Sequence, residues 1–167
     1  ALNTRGETII KAKKSRDHSE LLFKYLKLPI KISKKKNYDL IRIKGKKKIP
    51  SINYRIPADI SSSAFFIVLT ALSKNSKLKI RNININPSRT GILSILKIMK
   101  VKIKVLNKRT YKGEHIADLL VHGSKKFKSI NCPIKFNSAA IDEFLLIFLI
   151  AAKADGISYF KNLSELN

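Results

Sequence analysis

ALSKNSKLKIRNIN, residues 71–84, sets the architecture, because ALNTRGETIIKAKK, residues 1–14, and AAKADGISYFKNLS, residues 151–164, read as copies of it. Each copy ends a helix-like apolar run, crosses a short polar turn and enters a strand-like segment. In the first two the register resumes after a small gap, as SRDHSELLFKYLKLPIKI, residues 15–32, and SRTGILSILKIMKVKIKV, residues 88–105. Both have a Ser-Arg pair, then a helical apolar pattern, then an alternating strand. The third copy reaches Asn167 where its own second helix is due. Self-similarity of this kind predicts a repeat protein, and the chain reads as a piece of a larger one.

Working outward from residues 71–84, the periodicities predict a βαβαββ unit. A short strand over Asn53–Ile56 leads to Asp59 and Ser61–Ser63 as a helix start, and SAFFIVLTAL, apolar nearly all round, reads as a buried helix. Then follow a strand over Lys77–Ile85, a helix over Thr90–Met99 with Ile92, Leu93, Leu96 and Met99 on one stripe, and strands over Val101–Val105 and Ile116–Val121. The third copy begins again with a strand over Cys132–Phe136, a helix over Ile141–Ala154 and a strand over Ile157–Phe160. Residues 1–49 read as the tail of a preceding unit whose last strand is Asp39–Lys44. Units with one buried and one half-exposed helix bury their apolar faces only when enough copies stack, so the chain alone is expected to be marginally stable.

A chain of 167 residues is on the order of one domain. The longest apolar run, Phe144–Ala152, falls far short of the roughly 20 residues that a bilayer requires. Ala1 opens in mid-pattern without a charged and apolar leader, so the natural N-terminus is expected to lie upstream. The single Cys132 excludes an internal disulfide and fits a reducing compartment. With three scattered histidines it gives no metal-ligand spacing. It reads as a half-buried filler beside Pro133, not as a nucleophile.

A net charge of +24 raises nucleic acid as a partner, since clustered cations release counterions from phosphates. Here the cations are mostly lysine and dispersed, with runs KISKKK from Lys31, KGKKK from Lys44 and SKKFK from Ser124 expected at turns between strands. A solvated surface shaped by drift toward Lys, Ile and Asn is the plainer reading. A cleft for small anions would use the same charge through steering.

Four stretches at the helix starts carry a resemblance: KSRDH (Lys14–His18), PADISSSAFFIVLTAL (Pro57–Leu72), NPSRTGIL (Asn86–Leu93) and AIDE (Ala140–Glu143). In this order and spacing they resemble the 3-phosphoshikimate 1-carboxyvinyltransferase, or EPSP synthase, family. The resemblance covers essentially the whole chain. It implies a two-lobed inside-out α/β barrel with three βαβαββ units per lobe. Residues 1–57 would end one lobe, and residues 58–167 would begin the other with one complete and one truncated unit. It also implies the family reaction of the shikimate pathway, which feeds chorismate and aromatic amino acid biosynthesis. In it the enolpyruvyl group of phosphoenolpyruvate passes to the 5-hydroxyl of shikimate 3-phosphate and phosphate is released. The implied enzyme is a cytoplasmic monomer at full length, needs no metal or organic cofactor, and has these small molecules as partners, with no specific nucleic acid and no membrane. The family's Gly-rich phosphoenolpyruvate loop would precede Ala1 and its Lys-Glu-Ser-Asp-Arg-like motif would follow Asn167, so the piece alone is expected to be inactive.

Residue by residue, the resemblance implies that Arg16 contacts shikimate 3-phosphate, a role suited to a planar guanidinium fork. A solvated arginine beside an Asp17–Glu20 helix cap is the alternative. Ser15 either caps that helix or touches substrate, and His18 reads as structural. Asp142 is implied to bind the substrate hydroxyls and accept a proton, against the alternative that Asp142 and Glu143 only complement a helix dipole. Glu143 reads as helix-start charge. Asp59 faces the phosphoenolpyruvate side or the lobe hinge, or is a plain N-cap. NPSRTG reads mainly as a turn and helix start, with Ser88 as cap and Arg89 repeating Arg16 by position only. Two rivals stand beside this reading. One is the sister enolpyruvyl transferase acting on UDP-N-acetylglucosamine, against which KSRDH speaks. The other is a basic RNA-binding repeat module, which needs exposed aromatics for stacking, whereas most of the eight Phe lie in apolar helix patterns.

Overall fold

The computed structural model describes residues 1–13, 15–45 and 48–166. Lys14 of KSRDH, Lys46 and Lys47 of the KGKKK run, and Asn167 lie outside the described residues. The chain divides into two compact units, residues 1–56 with 110–114, and residues 57–109 with 115–167.

The first unit holds β1 (Glu7–Lys13), α1 (His18–Tyr25), β2 (Ile30–Lys34) and β3 (Tyr38–Lys44). Its sheet has the order β1-β3-β2 with both pairings antiparallel, Ile10 and Ile32 flanking Ile41 from opposite sides. Alternation along β3 sends Ile41 and Ile43 inward, where Leu28 joins them. The KISKKK run is only partly a turn, because Lys31–Lys34 belong to β2.

The second unit holds α2 (Ile60–Leu72), β4 (Lys77–Asn84), α3 (Gly91–Ile98), β5 (Lys102–Tyr111), β6 (Glu114–His122), β7 (Phe127–Lys128), α4 (Asn137–Ala140), α5 (Phe144–Ala151) and β8 (Ala154–Asp155). The hairpin turn between β5 and β6 falls among the residues grouped with the first unit. The larger sheet has the order β4-β6-β5, with β4 antiparallel to β6. β7 and β8 pair in parallel. Ile67 of α2, Ile92, Ile95 and Leu96 of α3, and Phe144, Ile147 and Ile150 of α5 are fully buried in one cluster. Each such side chain contributes about 1.5–3 kcal/mol relative to exposure. Gly91 allows the closest approach in this packing, since a Cβ there would stand 2.7 Å from the Ala139 carbonyl carbon.

α2 differs from the all-round buried helix expected. Ile60, Ala64, Ile67, Val68 and Ala71 face the core, while Phe65, Phe66 and Leu69 are 64%, 60% and 63% exposed. α3 is likewise buried on one side only, so the expected contrast of one buried and one half-exposed helix is absent. Leu145 and Leu149 form an exposed i, i+4 pair on α5. Among the described residues no helix is long and apolar enough to cross a membrane.

Three expected strands are not strands. Residues 53–56 are irregular, and the pairing there is a single bridge from Ala58 to Ile83. Over 132–136 the chain turns into a 3₁₀ segment, Ile134–Phe136, entered from Pro133; proline has no N–H to give a ladder. Residues 157–160 contribute only the Tyr159 bridge to Asn131. Their apolar side chains serve packing instead, Phe160 lying edge-on to Phe144 and Phe148. The expected helix over 141–154 is a 3₁₀ turn over Ile141–Glu143 followed by α5, which ends at Ala151, and Ala154 already belongs to β8. Cys132 is buried, not half-buried, and burial pushes its thiol pKa up.

The sequence repeat recurs in backbone geometry. At the end of α1, Leu28 N–H donates to Phe23 O at 2.9 Å and Lys27 N–H to Lys24 O at 3.0 Å. At the end of α3, Val101 N–H donates to Leu96 O at 2.9 Å and Lys100 N–H to Lys97 O at 3.1 Å. Both are Schellman motifs, with lysine in the left-handed position that glycine usually takes, Lys27 at φ 54° and Lys100 at φ 66°.

Candidate active site

Asp59 has an extended backbone at the N-terminus of α2, and its Oδ2 accepts from Ser62 N–H at 2.7 Å and from Ser62 Oγ at 2.9 Å. It is therefore an N-cap. Its other oxygen, Oδ1, lies 3.2 Å from Arg89 Nη2. Partial burial raises the Asp59 pKa, but the Ser62 hydrogen bonds and the Arg89 charge outweigh it, and the carboxyl sits below its ordinary value.

Arg89 is delivered by the turn between β4 and α3. Asn86 is buried, and its Oδ1 accepts from Ser88 N–H at 2.9 Å and Ser88 Oγ at 2.8 Å, while Arg89 N–H donates to Asn86 O at 2.9 Å. Ser88 therefore stabilises the turn rather than capping α3; the N-cap position is Thr90, without a side-chain cap. The turn aims the Arg89 side chain, 18% exposed, at three partners through one nitrogen: Asp59, Ser61 Oγ at 2.5 Å and Asp142 Oδ2 at 3.7 Å. Arg89 is thus the hub of the cluster, a role beyond that of a turn residue repeating Arg16.

Asp142 and Glu143 lie in the 3₁₀ turn before α5 and part company there. The Asp142 side chain is 43% exposed, open to a ligand hydroxyl while held by Arg89. Glu143 is buried and accepts from Ser61 Oγ at 2.5 Å. Burial pushes the Glu143 pKa up, with the nearby Asp142 and Asp59 charges adding to the rise against the Ser61 hydrogen bond and Arg89. It does stand at the start of α5, as its reading as helix-start charge expects, but buried. Its register explains why: Glu143, Ile147 and Ile150, at i, i+4 and i+7, are all buried.

The cluster has a consistent donor order. Arg89 donates to Ser61, whose hydroxyl in turn donates to Glu143, so one cation serves three acidic side chains. Such a site presents a half-exposed carboxylate, Asp142, beside a guanidinium and next in sequence to the buried Glu143, whose pKa burial raises. Among the described residues no group of three or more His, Cys, Asp or Glu side chains is arranged to hold a metal ion.

The first unit holds Ser15 and Arg16, both exposed, in the segment before α1. Asp17 occupies the N-cap position without a side-chain cap hydrogen bond, so the expected Asp-x-x-Glu cap is absent, and Ser15 lies too early to cap. His18 Nδ1 lies 2.5 Å from Glu114 Oε1, a structural pairing in keeping with its sequence reading. The structure thus joins Asp59 to Asp142 through Arg89, while Arg16 and Ser15 stand with the first unit.

Known proteins resemble the chain along its length. A relative in Petrotoga mobilis, a 3-phosphoshikimate 1-carboxyvinyltransferase, is 39% identical over 99% of this chain and 38% of its own length. One of the same name in Legionella pneumophila (strain Corby) is 41% identical over 91% of this chain and 34% of its own. The solved EPSP synthase of Acinetobacter baumannii superposes with a TM-score of 0.81 at 36% identity, covering 92% of this chain and 34% of that one. The chain therefore spans little more than a third of the length of these relatives. The family model for EPSP synthase (3-phosphoshikimate 1-carboxyvinyltransferase) matches residues 1–167, and the chain belongs to that family.

Proposed function

We propose that the chain is part of an enzyme that transfers the enolpyruvyl group of phosphoenolpyruvate to the 5-hydroxyl of shikimate 3-phosphate. The observation that carries this reading is the Arg89-held, half-exposed Asp142 at the start of α5 in a chain of this family. In the reaction the hydroxyl oxygen bonds to the enol carbon, the methylene carbon gains a proton, and the tetrahedral adduct then loses phosphate and a methyl proton. Asp142 accepts the hydroxyl proton. Arg89 is a positioning residue, fixing Asp142 and Asp59 relative to Ser61. Glu143, buried with a raised pKa, holds Ser61 from the other side.

Arg16 is assigned a phosphate oxygen of shikimate 3-phosphate, where a guanidinium fork pairs two acceptors at once, and Ser15 a polar contact beside it. Asp59 is assigned to the phosphoenolpyruvate side or the hinge, in addition to its capping role. Residues 1–57 and 58–167 are taken as parts of two lobes in a cytoplasmic, monomeric enzyme without a metal or organic cofactor.

The test is a chimera. The matching segment of the Petrotoga mobilis relative is replaced by residues 1–167, and phosphate release is followed with both substrates. The expected result is release that requires both shikimate 3-phosphate and phosphoenolpyruvate. A folded chimera that binds both substrates yet releases no phosphate would contradict the proposal.

A further inference from the structure

Beyond the C-terminal ends of α2 and α3 lies a cavity of about 790 Å³ whose lining includes Lys74, Lys77, Lys100, Lys102, Lys125 and Lys126. α2 has 13 residues, a length of about 20 Å, and the Asp59 cluster is at its other end. No acidic residue lines the cavity, and among the described residues none of the six lysines has an ion pair.

Lysines that follow a helix have a ready explanation in the helix dipole. That covers Lys74 and Lys100. It leaves Lys77 on β4, Lys102 on β5, and Lys125 and Lys126 in the turn after β6, which reach the same hollow from unrelated elements. The floor is built to a fixed geometry. Gly123 N–H donates to Ser76 O and Ser124 N–H to Ala71 O, both at 2.9 Å, and a Cβ on Gly123 would stand 2.0 Å from Ser73 O. Ser124, among the lining residues, is 5% exposed, and its hydroxyl oxygen is buried with no hydrogen-bond partner among the described residues.

Ammonium groups gathered around one hollow repel each other, and a multivalent anion relieves that repulsion. A single phosphate meets two or three lysines at most, whereas a linear chain of phosphates matches cations spread around the rim. We propose that this cavity binds a triphosphate group, with the lysines meeting its oxygens. The chemistry is shared by inorganic tripolyphosphate and nucleoside triphosphates. The proposal is independent of the reaction assigned to the Asp59–Arg89–Asp142 cluster.

The test is calorimetric titration of the 167-residue chain with sodium tripolyphosphate, ATP and orthophosphate at about 0.15 M salt. Two charge-matched variants are compared with the parent: Lys77→Ala/Lys102→Ala/Lys126→Ala in the cavity, and Lys31→Ala/Lys35→Ala/Lys36→Ala in the first unit. The cavity variant should weaken tripolyphosphate by about tenfold or more and the other by less than about threefold, because counterion release alone treats equal charges equally. Orthophosphate should bind far more weakly than either triphosphate. ATP matching tripolyphosphate identifies the phosphate chain as the whole ligand, and tighter ATP identifies a nucleotide as the source. Equal losses in the two variants, or tripolyphosphate no tighter than orthophosphate, would overturn the proposal.

Discussion

Arg89 Nη2 stands 3.7 Å from Asp142 Oδ2, and the same nitrogen lies 2.5 Å from Ser61 Oγ and 3.2 Å from Asp59 Oδ1. One guanidinium therefore ties together the entries to α2, α3 and α5. The three acidic side chains it serves differ in exposure, and so in what each contributes. Asp59 and Asp142 are about half exposed and add little to stability. The Arg89–Ser61–Glu143 chain is the part sheltered from water.

Removing that shelter should be felt by the fold. Arg89→Ala is expected to destabilise the chain by about 1.5–3 kcal/mol, the usual range for a hydrogen bond to a charged group. Arg89→Lys should recover only part of this, because an ammonium lacks the planar fork. Denaturant unfolding measures both, and an alanine variant within about 0.5 kcal/mol of the parent would remove the hub role.

Glu143 makes stability depend on pH in a defined direction. Its folded pKa is raised above the ordinary value of 4.5, so the folded state binds the extra proton. The contribution is present in full below 4.5 and is lost as pH rises through the folded value. Glu143→Gln keeps an acceptor for Ser61 and removes the titration. The variant should gain on the parent as pH rises from 4 to 7, and a pH-independent difference would refute the assignment.

Lys27 stores strain that glycine would release. A non-glycine residue in the left-handed region costs roughly 1–2 kcal/mol, and glycine gives back up to about 1 kcal/mol through a more flexible unfolded chain. Lys27→Gly should therefore stabilise by about 0.5–1 kcal/mol, read as a rise in midpoint at unchanged denaturant slope. A loss of stability would show that Lys27 makes interactions worth more than its backbone strain.

Elements with a long, clean period were legible in the sequence. β4 and α3 fall within a residue of the spans expected for them, and α2 starts three residues before SAFFIVLTAL and ends with it, because a helical stripe or an alternation needs no distant partner to be read. The segments at 53–56, 132–136 and 157–160 were misread as strands because a short apolar run has no period of its own. Their pairing is one bridge each, or none, and Pro133 interrupts the second. Asp59 and Asp142 could be singled out from motifs, but not their union through Arg89, which depends on the turn built by Asn86 and Ser88. Glu143 was within reach: its place on the stripe with Ile147 and Ile150 announces a buried carboxylate.

In the proposed reaction Asp142 takes the proton of the reacting hydroxyl, and steady-state kinetics of Asp142→Ala in the Petrotoga mobilis chimera reads out that role. The expected result is a fall in kcat of roughly 10²–10⁴, the range for loss of a general base, with a much smaller change in KM for shikimate 3-phosphate. Arg16→Ala should instead chiefly raise that KM, since its charge meets the substrate already in the ground state. A lost helix-dipole interaction is worth only about 0.3–1 kcal/mol and would lower stability with near-normal turnover. A folded Asp142→Ala chimera with unchanged kcat would contradict the account and leave Asp142 as a charge at the start of α5.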